Sequence, residues 1–218
     1  YGLLLRPMAE IEADVERANL AGLSVAVHAI GDRAIRELLG ALERVAGRHP
    51  ELKGRRIPNR IEHVQNVRPE DMPRLAPLGV VASVQPIHLV DDLAMVEQTV
   101  GARGRFTYTF RDLWEAGVPL AMGSDCPVAN PNPWWGIQAA VTRQRRDGTP
   151  EGGWYPAQRL TLAQAVWGFT MGPAVVTGRQ ADLGSISPGK LADLVVLDRD
   201  PFALDPLEIA GVGVAMTI

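Results

Sequence analysis

Four times along this chain a stretch of helical periodicity leads into a short strand-like run, and each run stops beside residues able to do chemistry. Met8, Ile11, Val15 and Ala18 recur at helical spacing, and Leu23-Ser-Val-Ala-Val-His28 then reads as a buried strand ending in a histidine. Ile35, Leu38, Leu39, Leu42 and Val45 form the next amphipathic helix, followed by the strand Arg60-Ile-Glu-His63. Pro69 is expected to open a helix toward Leu78, and Gly79 to Val84 forms the third strand, broken by Pro86. A helix closing at Gly117 leads to Val118-Pro-Leu-Ala-Met122, which runs into Gly123-Ser-Asp125. Strand and helix units in series imply an α/β fold with a parallel sheet.

In parallel α/β barrels the site is assembled at the C-terminal strand ends, where His28, His63 and Asp125 fall and which Gln85 and His88 directly follow. Four units are half of an eight-stranded barrel, so two sheet edges are expected to be open to pairing, by homo-oligomerisation or by an upstream polypeptide. Beyond this region, Thr161-Leu-Ala-Gln164 has the form of a capping box. The texture then changes, with a strand predicted before Asp198 and another within 209–218.

Composition excludes several classes. Hydrophobic residues at 46% and charged ones at 22% describe a globular chain with a sizeable core. A formal charge of −3 offers no basic face for nucleic acid, and Arg143, Arg145 and Arg146 are read as a solvated helix end. No apolar run approaches the roughly 20 residues that a membrane span needs. The lone Cys126 rules out an internal disulfide framework and fits a reducing compartment, so the expected location is cytoplasmic. The chain opens on Tyr1 rather than Met, which leads us to expect a natural N-terminus further upstream.

Each chemical candidate has an ordinary explanation when taken singly. A strand-end His28 can be a hydrogen-bonded core residue, His63 can pair with Glu62, and Asp125 can be a turn or cap residue. Together, two histidines and an aspartate on separate strand ends can converge on one divalent cation, since imidazole nitrogen and carboxylate oxygen suit Zn²⁺. Gln85 and His88 are candidates for substrate contact or loop capping. Trp134 and Trp135 are candidates for an apolar pocket wall or for core packing. Asp32 and Arg33 read as a helix start.

Four segments in order, Val27-His28-Ala-Ile-Gly-Asp-Arg-Ala34, Arg60-Ile-Glu-His63-Val-Gln65, Ala116-Gly-Val-Pro-Leu-Ala-Met-Gly-Ser-Asp125 and Pro188-Gly-Lys-Leu-Ala-Asp-Leu-Val-Val-Leu-Asp198, resemble the amidohydrolase superfamily. Within it, the chain is similar to the subgroup that includes N-substituted formamide deformylases. The resemblance implies the C-terminal half of a TIM-like (β/α)8 barrel over residues 1–180, with His28, His63 and Asp125 ending its fifth, sixth and eighth strands. It implies part of a flanking β-sandwich over 181–218, in which Lys190 is structural.

It further implies a metal-dependent hydrolase of carbon–nitrogen bonds in small amide-type substrates. His28, His63 and Asp125 would be ligands to one or two divalent ions, zinc first, and Asp125 also the catalytic base. Gln85, His88 and Trp134 would face the substrate. The family's His-x-His pair and its bridging lysine or glutamate have no counterpart here, so a fragment with an incomplete, inactive site is expected. Two other readings stay open, a non-catalytic self-associating half-barrel and a deaminase on the same scaffold. No cluster of Arg or Lys near these strand ends suits a phosphoester.

Overall fold

The computed structural model describes residues 3–218; the first two residues of the expected barrel portion lie outside it. Helix α1 (Met8–Leu20) leads to β1 (Ala26–Ala29), α2 (Asp32–Arg48) to β2 (Arg60–His63), and the short α3 (Met72–Leu75) to β3 (Val81–Val84). Helices α4 (Pro86–Val100) and α5 (Phe110–Glu115) precede β4 (Leu120–Met122), after which come α6 (Pro133–Thr142) and α7 (Leu162–Val176). The four strands form one parallel sheet in sequential order, β1-β2-β3-β4.

Register and pleat separate the two faces. Val27, Ile61, Ala82 and Leu120 are in register on one face, and three of them are fully buried. His28, Glu62, Ser83 and Ala121 share the opposite face, so the chemistry lies on the side away from the Ile61 row. Helix α7 packs directly on β4. A side chain at Gly172 would stand 2.2 Å from the Leu120 carbonyl oxygen, so only glycine permits that approach. Thr161 and Gln164 cap α7 reciprocally, as the capping-box pattern predicts.

Three sequence expectations are corrected. Pro86 does not end a unit but occupies the first turn of the 15-residue α4, where its lost N–H has no intrahelical partner to forfeit. The helix expected from Pro69 starts at Met72. Arg143 is not solvated but fully buried, at the left-handed residue that closes α6. Its Nε donates to the Trp154 carbonyl at 2.6 Å and its Nη1 to the Tyr108 carbonyl at 2.9 Å. Burial pushes its guanidinium pKa down to about 9.

The C-terminal segment carries β5 (Val195–Leu197) and β6 (Val214–Thr217), an antiparallel pair whose residues are almost all exposed. Lys190 Nζ donates to the carbonyls of Gln180 and Leu183, an anchoring role for the loop before β5. No helix among the described residues is long and apolar enough to cross a membrane.

Candidate metal centre

His28 sits inside β1, one residue before its end, and points to the open face of the sheet. By strict alternation His63, one register position beyond Glu62, would turn toward the helix-covered face. It does not, because its backbone takes φ = 76° and the next residue, Val64, takes φ = 45°. These left-handed conformations are costly for residues with a Cβ and concentrate at functional sites. The result is a His63 ring 4.4 Å from that of His28, centroid to centroid, in an edge-on arrangement.

Asp125 repeats the device after β4. It takes φ = 58° in the turn after Gly123 and Ser124, its carbonyl accepts from Val128 N at 2.8 Å, and its Oδ2 stands 4.0 Å from His63 Nε2. His88 reaches the same place from the first turn of α4, its ring nearly parallel to that of His63 at 6.0 Å. One donor atom each from His63, His88 and Asp125 lies within 4.8 Å of the others. His28 stands beside this triad as a neighbour of His63.

Two observations test whether these residues suit a divalent cation. His88 Nε2 is buried with no hydrogen-bond partner among the described residues, which is costly unless something meets it. Burial, and then the adjacent His28, hold the His63 pKa below its ordinary value, which favours the neutral imidazole that ligates a metal. The donor set fits.

A cavity of about 500 Å³ opens over the triad. Gln85 lines it, 7% exposed, with Nε2 donating to the Ser83 carbonyl at 3.3 Å, and Glu62 contributes to the wall while paired with Arg60. Trp134 is absent from this lining and belongs to the core, while Trp135 stacks under the Arg146 guanidinium at 4.2 Å. Asp32 opens α2, where its carboxylate accepts from the Arg33 backbone N–H at 2.8 Å and from Arg68 Nε at 2.7 Å.

Sequence reasoning missed two carboxylates at this wall, Asp91 and Asp92. Asp92 accepts from the Tyr108 hydroxyl at 2.5 Å and from Gln65 Nε2 at 3.2 Å, tying α4 to the turn after β2. The signal was available in part: a proline directly after a strand-end Gln85 sets α4 going at once, which brings both His88 and Asp92 to the strand ends.

A parallel α/β sheet that gathers imidazole and carboxylate donors at its C-terminal end can hold a divalent cation, and comparisons with known proteins show the family to which such a scaffold belongs. The amidohydrolase family model matches residues 3–218, and the chain belongs to that family. It is 37% identical over 210 residues to Protein LONG AFTER FAR-RED 3 of Arabidopsis thaliana, covering 94% of this chain and 35% of that protein. It is 31% identical over 192 residues to the N-substituted formamide deformylase of Arthrobacter pascens, covering 85% and 33%. An uncharacterized metal-dependent hydrolase of Pyrococcus horikoshii superposes with a TM-score of 0.79 at 32% identity, over 94% of this chain and 40% of that one. The chain thus spans about a third of the length of the curated relatives it matches.

Proposed function

We propose that the chain supplies half of the active site of a metal-dependent hydrolase that cleaves carbon–nitrogen bonds in small amide-type substrates. The observation that carries this is the convergence of His63, at the end of β2, Asp125, in the turn after β4, and His88, in the first turn of α4, with His88 Nε2 buried and unpartnered among the described residues. His63, His88 and Asp125 would hold a divalent cation, zinc by donor type, with His28 as a fourth donor. When bound, such an ion supplies Lewis acidity, acidifying water and polarising a carbonyl.

The chain's own groups do the rest. Asp125, exposed to the cavity, accepts a proton from the attacking water and returns it to the departing amine. His63 stays neutral in its buried setting, and Asp92 with Tyr108 and Gln65 holds the cavity wall in place. Gln85 lines the cavity with a side-chain amide oxygen free to accept from a substrate N–H.

In this reading the four strands are half of an eight-stranded barrel, the β5–β6 segment is part of a flanking sandwich, and the open edges of β1 and β4 are closed by an upstream polypeptide or a second copy. Turnover needs the complete barrel. Light scattering that gives a compact monomer at high dilution would count against a second copy.

Metal content of the purified chain, measured by mass spectrometry beside a His63→Ala, Asp125→Ala double variant, tests the site. About one ion per chain in the wild type and less than a tenth of that in the variant is expected, since two of the donors are removed. Equal metal in both overturns the assignment. In the barrel-complete protein, hydrolysis of N-formyl amines is expected to exceed that of aminated heterocycles; the reverse would make it a deaminase.

A further inference from the structure

At the opposite end of the sheet lies a second cavity, of about 550 Å³, at the entries to β2 and β3. Its polar floor is an asparagine pair. Asn59 Nδ2 donates to Asn19 Oδ1 at 2.8 Å, and Asn59 Oδ1 accepts from Asn19 Nδ2 at 3.2 Å and from Val25 N at 3.0 Å, so both side chains are already engaged. Leu42, Val45, Leu52 and Leu78 supply apolar wall. Two cations, Arg55 and Lys53, complete the lining, while His49 at the rim is held by Glu16 and Glu51.

Arg55 is the unusual member. Its Nη2 donates to the Leu23 carbonyl, but its Nη1 is buried without a partner among the described residues. No ion pair to Arg55 or Lys53 occurs among the described residues, and no carboxylate lines the cavity. Burial alone pushes the guanidinium pKa down, with no opposing charge to raise it. A half-buried cation with an orphaned donor is costly, and a ligand carboxylate would remove that cost.

We propose that this cavity binds a small amphipathic monocarboxylate, its head group on Arg55 and Lys53 and its apolar body against Leu42, Val45, Leu52 and Leu78. The apolar walls select against compact dianions, and the absence of lining carboxylates selects against amines. The site is separate from the metal centre, since Asn59 immediately precedes β2 and His63 ends it.

Isothermal titration of the 218-residue chain with hexanoate tests this, run in chelator so that carboxylate binding to a metal is not read. One site per chain is expected, weakened by about tenfold or more in Arg55→Met, which removes the charge-assisted bonds, and severalfold in Lys53→Met, whose exposed position leaves folding intact. His63→Ala should bind as the wild type does. No binding by the wild type, equal binding by both cavity variants, or tighter binding of inorganic phosphate or hexylamine than of hexanoate would each overturn the proposal.

Discussion

The parallel sheet and the β5–β6 ribbon draw on the same apolar residue types, Val, Leu, Ala and Met, yet they live in opposite surroundings. Ile61, Ala82 and Leu120 are at most 1% exposed, whereas Val195, Val196, Val214 and Met216 are 45–57% exposed. Strand propensity is therefore common to both, and what differs is cover. Helix α7 lies on β4 with glycine at the closest approach, while of the apolar ribbon residues only Leu197 packs against the core. A two-stranded pair is marginal without a layer against it. This one is held by its ladder, by paired bonds between Leu194 and Ile218, and by the Asp198 carboxylate accepting from Gly213 N at 3.0 Å.

The contrast is open to direct attack. Gly172→Val puts side-chain atoms into the β4 backbone, and urea unfolding should show a loss of about 3 kcal/mol or more, the upper range for overpacking. A loss under about 1 kcal/mol would show that the α7–β4 seam is loose. Arg143→Met keeps volume but strips donors from the Trp154 and Tyr108 carbonyls, and we expect a loss of about 2 kcal/mol, from orphaning buried acceptors. In the ribbon, Val196→Thr should change stability by no more than about 0.5 kcal/mol, as for exposed sites generally. A larger loss would mean that a covering layer protects Val196 in solution.

The smallest effect concerns the outer surface, where α1 and α2 are stitched by Arg44, Arg48 and His49 to Glu12 and Glu16. The hydrogen bond to Glu16 leads the causes that raise the His49 pKa above its ordinary value. A raised folded-state value means stabilisation that is fully present below the unfolded pKa, about 6.5, and lost as pH rises through the folded one. The stability gap between wild type and His49→Ala should accordingly narrow from pH 6 to pH 9. A gap that widens would reverse the assigned sign.

Much of this architecture was legible beforehand because three of the four strand regions, 23–28, 79–84 and 118–122, read as largely apolar runs that could be seen to stop at or near a polar residue. His28, His63 and Asp125 were singled out as candidates by their strand-end positions. His88 was expected to contact substrate or cap a loop, and the structure brings its ring within reach of His63 and Asp125. Arg143 was invisible for a reason of its own. Its partners, Trp154 and Tyr108, lie 11 and 35 residues away, and no local pattern announces that a loop will fold over a cation. The left-handed backbone at His63 and Asp125 was equally hidden, since neither is a glycine and only the surrounding sheet imposes it.

That backbone has a consequence for how such a protein diversifies. His63 and Asp125 each hang from their own strand-end turn and His88 from the opening of α4, and the long excursions between them run through helices and surface loops. Those excursions can lengthen, shorten or change their lining without moving the seat that the ion would occupy. Appetite for one substrate or another is thus inscribed in different stretches of chain from the chemistry itself, and one can drift while the other stands still.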